Sequence, residues 1–249
     1  MRLSTIVLSG ANEHTDAEAI ISLCKDFSGI AELGIQVSGD KAYYSSGRYW
    51  WLQLLCHLAT PDIRIALHLN KDWVEDFCAG KIPPELETFL ALSHPDGSPK
   101  IKRIQLNFKI GREKAPNVHT LLCSMKRYVR HDFILSYNDS NRDFIRQLKQ
   151  SGCKIDALLY DSSFGEGIAP SIRPAPVFDD VYQGYAGGLS PDNVLKELEN
   201  INTVVPPGKS FFIDAEGKLK GEDRHLSLEK CKVFLTRTYA WARDHSTGF

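Results

Sequence analysis

The chain has 249 residues, of which 43% are hydrophobic and 24% are charged, an ordinary composition for a globular protein. Its 30 basic and 31 acidic residues give a formal net charge of -1, which argues against a nucleic-acid partner because such proteins usually carry a basic face. No run approaches the ~20 apolar residues of a membrane span, and Met1–Leu8 is too short and too polar for a signal sequence. We therefore expect a cytoplasmic protein without a membrane partner, with its six cysteines as free thiols.

Short apolar runs alternate with helical patterns along the whole chain. The strands are predicted from their apolar and β-branched composition, and the helices from apolar residues that recur every three or four positions. In chain order the predicted strands are Thr5–Ser9, Ile30–Val37, Arg64–Leu69, Arg103–Phe108, Asp132–Ser136, Ala157–Tyr160, Tyr182–Ala186 and Ser210–Asp214.

Several helix starts carry recognisable capping patterns. Thr15, followed three residues later by Glu18, has the spacing of a capping box. Ser190 and Pro191 predict an N-cap and a first helical residue, because serine accepts from the free N–H groups and proline lacks one. Ser227 is placed to cap the last helix. These patterns place helices after the first, seventh and eighth strands.

Eight strand–helix alternations in one chain favour a parallel sheet with helices outside it. A chain of this length fits an α/β fold with one (β/α)8 barrel, a TIM barrel, as a single domain over residues 1–249. The alternative is an open, doubly wound sheet, which usually has a G-x-G-x-x-G turn after its first strand. Here the turn is Ser9-Gly10-Ala11-Asn12, which lacks that fingerprint. The stretch Gly80–Lys102, rich in proline, predicts an enlarged connection.

The reactive side chains of such barrels stand at the carboxyl ends of the strands. Neither His57 nor His68 has a partner at metal-ligand spacing, so we predict no metal site. The candidates at strand ends are Ser9, Gln36, His68, Asn70, Gln105, Asn107, Ser136, Asn138, Asp161, Gly187, Gly188, Asp214 and Gly217.

Two glycines, Gly187 and Gly188, end the seventh strand just before a predicted helix start. Glycines at such a position let backbone N–H groups approach an anion at the helix N-terminus. A tight turn that needs positive φ angles would also select glycine there. Taken alone, the two interpretations remain open.

The run Ala186–Val194 (Ala-Gly-Gly-Leu-Ser-Pro-Asp-Asn-Val) resembles the seventh-strand phosphate loop of phosphoribosylanthranilate isomerases, enzymes of tryptophan biosynthesis. This motif is the specific part of the resemblance. Shorter and individually weak similarities occur, in the same order as in the family, at Val7–Gly10, Ser46–Arg48, Gln105–Asn107, Leu158–Asp161 and Ile213–Gly217.

The resemblance implies an aldose–ketose isomerisation of the Amadori type on a small phosphorylated substrate, without metal or cofactor. A general acid protonates the ring oxygen and a general base removes the C2 proton. Carried over position by position, Asp161 is the acid and Ser9 stands where the family has its catalytic cysteine. Arg48 would hold the substrate. The remaining binding positions are Gln105, Gly187, Gly188, Asp214 and Gly217.

Three departures from the family pattern predict weak or absent turnover of phosphoribosylanthranilate. Ser9 lacks the acidity of a thiol and needs a neighbouring base. The phosphate loops after the sixth and eighth strands contain Glu166 and Glu216, whose charges repel a phosphate unless they turn away or are neutralised. Lys218 and Arg173 are candidates for that neutralisation.

Three hypotheses therefore stand. The first is an isomerase related to this family, with a changed substrate or a changed base; His14 in the first βα loop is an alternative base to Ser9, although an exposed position before Thr15 is its simpler interpretation. The second is a catalytically inactive barrel that acts as a small-molecule-binding or regulatory protein. The third and weakest is a Schiff-base aldolase using Lys109. The sequence does not predict the oligomeric state.

Overall fold

Eight parallel strands form a closed barrel in which each strand pairs with the next and the last pairs with the first. The computed structural model describes residues 2–39, 47–108, 115–161, 170 and 172–245. The predicted single (β/α)8 barrel is therefore confirmed. The strands are β1 (Arg2–Ser9), β2 (Ala31–Val37), β3 (Arg64–Leu69), β4 (Arg103–Leu106), β5 (Asp132–Tyr137), β6 (Ala157–Tyr160), β7 (Tyr182–Tyr185) and β8 (Ser210–Ala215).

The helices surround this barrel and bury their apolar faces against it. One of them, Pro84–Leu90, lies within the stretch that the sequence predicts as an enlarged connection, so that connection carries a helix of its own. A 3₁₀ turn, Gly217–Leu219, follows β8. The α-helices within the described residues are α1 (Ala17–Asp26), α2 (Arg48–Leu58), α3 (Lys71–Cys78), α4 (Pro84–Leu90), α5 (Val118–Arg127), α6 (Arg142–Gln150), α7 (Val194–Val204) and α8 (Leu228–His245).

The first helix is capped one residue later than the sequence predicts. The Asp16 carboxylate accepts hydrogen bonds from the N–H groups of Glu18 and Ala19 at 2.9 and 3.0 Å, so the predicted capping box with Thr15 is wrong. Thr15 instead closes the preceding loop, where its Oγ1 accepts from the N–H of Asn12 at 3.2 Å. Aspartate is favoured at the cap because its charge also complements the positive end of the helix dipole.

The barrel interior is filled in layers by alternate residues of each strand. At the amino-terminal end, Arg103 Nε donates to Glu32 Oε1 at 2.9 Å, and its guanidinium lies 4.7 Å from the centre of the Phe212 ring. A cluster of buried apolar residues lies between this ion pair and the carboxyl ends of the strands. It contains Val7, Ile134, Ala157, Leu159, Ala186 and Phe212. The next inward positions along the strands are polar, and they form the floor of the site.

Candidate active site at the carboxyl ends of the strands

A cavity of about 290 Å³ opens at the carboxyl ends of the strands. It brings together residues from all parts of the chain, including every predicted site residue except Arg48. The described residues that line it are Ser9, Gln36, His68, Asn70, Gln105, Asn107, Phe108, Ser136, Asn138, Leu159, Asp161, Ala186, Gly187, Gly188, Leu189, Asp214, Ala215, Glu216, Gly217, Lys218 and Lys220.

Ser9 and Asp214 form a short hydrogen bond at the floor of this cavity. The Ser9 hydroxyl donates to Asp214 Oδ1 at 2.6 Å, and both residues are buried. The two strands that carry them, β1 and β8, are neighbours in the barrel, so residues far apart in sequence meet here. The serine at the family's cysteine position therefore has a carboxylate next to it, which is the partner that a hydroxyl needs in acid–base chemistry.

Burial raises the pKa of Asp214 from 3.8 to about 7, because its charged form has lost most of its contact with water. The hydrogen bond from Ser9 opposes this effect, and the Arg103 guanidinium opposes it weakly. The negative charges of Glu216 and Asp161 add to it. A carboxyl group with a pKa near neutrality can both accept and release a proton at physiological pH.

Asp161 follows the last residue of β6 and lines the same cavity. Its backbone N–H donates to the carbonyl of Tyr137 on β5 at 3.3 Å, which continues the sheet by one residue. The side chains of Asp161 and Asp214 therefore converge from strands on two sides of one cavity. The predicted phosphate loop Phe164–Gly167, with Glu166, lies outside the described residues.

Glu216 is neutralised, but by neither of the residues that the sequence suggests. Its Oε1 pairs with Lys220 Nζ at 2.7 Å, and its Oε2 accepts from Gln36 Nε2 at 2.6 Å. The prediction that Lys218 or Arg173 compensates this carboxylate is therefore wrong. Lys220, four residues after Glu216, pairs with it in place of Lys218, because the 3₁₀ turn brings the Lys220 side chain back over Glu216.

Arg173 instead supports the β7 loop from below. It is almost fully buried, and its Nε and Nη2 donate to Glu197 Oε2 at 3.0 and 2.8 Å. The same guanidinium donates to the carbonyl of Gly187 at 3.0 Å and to the carbonyl of Ala186. A planar group with several fixed donors holds carbonyls and a carboxylate in one arrangement, so the loop geometry is specified by this residue.

Both glycines of the β7 loop adopt positive φ angles, 88° at Gly187 and 67° at Gly188. The loop is braced by Asn193, whose Nδ2 donates to the carbonyl of Gly188 at 2.8 Å and whose Oδ1 accepts from the N–H of Ser190 at 2.8 Å. The predicted N-cap at Ser190 with Pro191 as the first helical residue is wrong by three residues, because α7 begins at Val194 with Asn193 as its N-cap. Ser190 Oγ still accepts from the N–H of Asn193 at 3.2 Å, in the turn that precedes the helix. The tight turn and the anion site are thus compatible interpretations.

The N–H groups of Gly187 and Gly188 take part in no hydrogen bond between described residues. Gly217, whose N–H is likewise without a partner in that part of the chain, faces the same cavity from β8, and Lys218 lies beside it. Convergent backbone N–H groups with a nearby cation form a site suited to a phosphate or carboxylate.

Arg48 and His14 lie away from the cavity lining. Arg48 opens α2, and its Nε pairs with Glu13 Oε2 at 2.7 Å. His14 is exposed and stacks on His225 with ring centres 4.1 Å apart. The role of Arg48 in substrate binding stays a prediction, and the similarity that includes Ser46 falls partly outside the described residues.

In the wall formed by β3 and β4, the family resemblance implies a binding role for Gln105, while His68, Asn70 and Asn107 are candidates by position alone. His68 and Gln105 are register partners on these strands, and Asn70 and Asn107 stand two residues beyond them on the same inward face. Both strands end in the same pattern of a polar residue, an apolar residue and an asparagine, His68-Leu69-Asn70 and Gln105-Leu106-Asn107, and this repeat is the sequence feature that indicates a shared polar wall. Lys220 lies beyond β8 and had no such signal.

The comparison with solved structures supports the fold. No known family model and no curated protein matches the chain. Among solved structures, the phosphoribosylanthranilate isomerase of Thermotoga maritima is 15% identical, with a TM-score of 0.56 over 96% of this chain and 100% of that chain. The enzyme of the same name from Thermus thermophilus is also 15% identical, with a TM-score of 0.58 over 95% of this chain and 99% of that one.

A different enzyme shares the architecture almost as well. A mutant tryptophan synthase α-subunit from Pyrococcus furiosus is 10% identical, with a TM-score of 0.52 over 96% of this chain and 100% of that chain. At such identities the similarity establishes the barrel fold alone. Within the described part of the chain, no helix has the length and apolar character needed to cross a membrane.

Proposed function

We propose that this chain is an aldose–ketose isomerase that acts on a small phosphorylated sugar derivative through two carboxyl groups. One observation carries the proposal. Asp214, a buried carboxyl group with a pKa of about 7, accepts a hydrogen bond from Ser9 in the cavity that also holds Asp161. Isomerisation needs one group that gives a proton and one that takes a proton, and pairs of carboxyl groups in different environments supply both.

In this proposal Asp214 is the general base and Ser9 is its positioning residue. A serine hydroxyl is too weakly acidic to be deprotonated by itself, whereas a carboxylate with a pKa near 7 matches the optimum for a base at neutral pH. The hydrogen bond from Ser9 leaves the second oxygen of Asp214 for the substrate. Asp161, at the end of β6, keeps the role of general acid that the family resemblance implies.

The β7 and β8 loops supply the phosphate site. Gly187, Gly188 and Gly217 line the cavity, and their N–H groups have no partner among the described residues, so they are available to a phosphate; Lys218 adds a positive charge. The ion pair of Glu216 with Lys220 removes the repulsion that this glutamate would otherwise exert on a phosphate. These features support a phosphorylated substrate held at one end, with its reactive carbons above Asp214.

Turnover of phosphoribosylanthranilate itself is proposed to be weak or absent. The thiol that serves as base in the family is replaced by the hydroxyl of Ser9, and the loss of that base for the family's own substrate lowers the rate by roughly 10²–10⁴-fold. Asp214 is then the base for a different sugar phosphate. A tryptophan auxotroph that lacks the isomerase tests this point. Growth that requires Ser9→Cys supports it, while full growth with the unchanged chain contradicts it.

Deuterium exchange tests the proton-transfer chemistry even when the product has not been identified. Purified protein is incubated in D2O with ribose 5-phosphate, arabinose 5-phosphate or phosphoribosylanthranilate, and exchange at C2 is followed by proton NMR. We expect exchange with at least one sugar phosphate, its loss in Asp214→Asn and Asp161→Asn, and no change in Asp143→Asn, where an exposed carboxylate on α6 is removed. Phosphate binding without any exchange would favour the binding or regulatory protein.

A further inference from the structure

The amide side chains at the ends of β3 and β4 form a hydrogen-bonded chain whose direction is fixed. It starts at the backbone carbonyl of His68, which can only accept and receives a bond from Asn70 Nδ2 at 2.9 Å. Asn70 Oδ1 therefore accepts from Asn107 Nδ2 at 3.1 Å, and Asn107 Oδ1 accepts from Gln105 Nε2 at 3.0 Å. Each amide orientation follows from the previous one, so Gln105 presents its Nε2 to Asn107 and keeps Oε1 free.

The same chain determines the tautomer of His68. Gln105 Nε2 also approaches His68 Nδ1 at 3.4 Å, and because an amide nitrogen only donates, Nδ1 must accept. Burial, with a smaller effect from Arg103, lowers the pKa of His68 to about 3, so the ring is neutral and carries its single proton on Nε2. His68 therefore offers an N–H donor from Nε2.

Two buried polar atoms of this wall have no partner in the described protein. They are His68 Nε2, a donor, and Gln105 Oε1, an acceptor, and both residues are at least nine-tenths buried and line the cavity. Such atoms cost free energy unless another group satisfies them, so their persistence at a cavity points to a ligand group. Gln105 meets the Nδ1 edge of the imidazole, whereas Nε2 points toward Gly34 and Ser9, so the donor and the acceptor serve different ligand atoms. A hydroxyl group satisfies either one, because it both donates and accepts.

The position of His68 places its Nε2 beside Ser9, the hydrogen-bond partner of the proposed base. His68 Nε2 lies 2.8 Å from the point where a β-carbon on Gly34 would stand, and Ser9 Oγ lies closer still to that point. Glycine at this position of β2 thus allows the imidazole edge and the serine hydroxyl to share one small region. A hydroxyl bound to His68 would therefore lie next to the hydrogen bond between Ser9 and Asp214.

We propose that β3 and β4 form a hydroxyl-binding wall, in which His68 Nε2–H donates to one substrate hydroxyl and Gln105 Oε1 accepts from another. The substrate then carries a polyhydroxylated chain between its phosphate and the end that faces this wall. In an eight-stranded barrel β3 and β4 stand opposite β7 and β8, which carry the proposed phosphate site. A linear sugar phosphate would span the two and place its middle carbons over Asp214. This inference rests on the proposed function and specifies its substrate class.

Ligand pairs test the wall without any change to the protein. Ribitol 5-phosphate has a hydroxyl on every carbon that is not phosphorylated, whereas n-pentyl phosphate has the same five carbons and none of these hydroxyls. Neither contains a carbonyl group, so isothermal titration calorimetry measures binding alone. We expect ribitol 5-phosphate to bind at least tenfold more tightly than n-pentyl phosphate and than inorganic phosphate. Equal dissociation constants for the two ligands, or no binding of ribitol 5-phosphate, overturn the inference. Equal constants are the result expected if water alone satisfies the polar atoms of the wall.

A pair of variants assigns the effect to the wall. Gln105→Leu removes the acceptor and should reduce the preference for ribitol 5-phosphate over n-pentyl phosphate by roughly tenfold, with inorganic phosphate binding unchanged. Gln147→Leu makes the same substitution at an exposed position of α6 and should leave the preference intact. Equal effects of the two variants contradict the assignment. The ligand comparison on the unchanged protein remains decisive if Gln105→Leu does not fold.

The result separates this inference from the proposed function. A strong preference for ribitol 5-phosphate without any deuterium exchange retains the hydroxyl wall and refutes the isomerase. Exchange with a sugar phosphate, combined with equal binding of the two five-carbon ligands, retains the isomerase and refutes the wall.

Discussion

Replacing Asp214 with asparagine should stabilise the protein at pH 8 while it abolishes proton transfer. The carboxyl group is 6% exposed, and burial raises its pKa from 3.8 to about 7. Above pH 7 the folded protein must therefore hold a buried negative charge near two further carboxylates, Glu216 and Asp161, while the hydrogen bond from Ser9 and the charge of Arg103 partly offset this cost. Asparagine keeps the oxygen that accepts from Ser9 and removes the charge.

The sign and size follow from the difference in pKa between the folded and unfolded states. Because the folded-state pKa is the higher one, the native protein holds more protons than the unfolded chain between about pH 4 and pH 7. The contribution of Asp214 to stability is therefore greatest below about pH 4, falls as the pH rises, and reaches its lower level above about pH 7. A difference of about three units corresponds to about 4 kcal/mol as an upper bound, and relaxation with water entry reduces this to about 2 kcal/mol.

Urea unfolding at several pH values measures this effect. We expect the free energy of unfolding of Asp214→Asn to exceed that of the unchanged protein by a margin that grows by about 1–2 kcal/mol between pH 5 and pH 8. Asp143→Asn removes an exposed carboxylate and should show no such trend. A difference that does not vary with pH, or a variant that is less stable throughout, would refute the reasoning from burial.

Three further changes probe the site. Ser9→Ala removes the donor to Asp214 and should move the acidic limb of the pH–rate profile to higher pH; an unmoved limb would argue against Asp214 as the base. Gly34→Ala forces a β-carbon against two side chains and should lower the free energy of unfolding by about 1–3 kcal/mol in urea, so a neutral effect would contradict the close packing. Gly188→Ala, at a φ of 67°, should raise the dissociation constant for inorganic phosphate at least tenfold by calorimetry. Gly208→Ala introduces similar backbone strain, at a φ of 80°, far from the site, and should leave the dissociation constant for inorganic phosphate unchanged.

Some features of the site could be predicted from the sequence because barrel geometry places them. Once eight strands alternate with helices, the residues at their carboxyl ends must converge, and this reasoning located Ser9, Gln105, Asp161 and Asp214 at one cavity. The glycines of the β7 loop were found for a local reason, since positive φ angles leave few alternatives to glycine.

The partners of charged side chains could not be predicted in this way. Lys218 stands closer in sequence to Glu216, yet Lys220 pairs with it because the 3₁₀ turn after β8 brings that side chain back. Arg173 pairs with Glu197 of α7 under the β7 loop, a contact that depends on how α7 packs against the barrel. Such choices depend on distances between elements, which local sequence patterns do not contain.

The number, order and bounds of the strands follow from the amino-acid pattern, with β3 and β6 placed to the residue and the others shifted by one to three residues at an end. Short, nearly continuous apolar runs suffice for this, because each strand buries one face in the barrel and the other against the helices. The pKa of Asp214 and the tautomer of His68 emerge only in the folded barrel. Both depend on desolvation and on hydrogen-bond partners from neighbouring strands, and these arise only when the barrel closes.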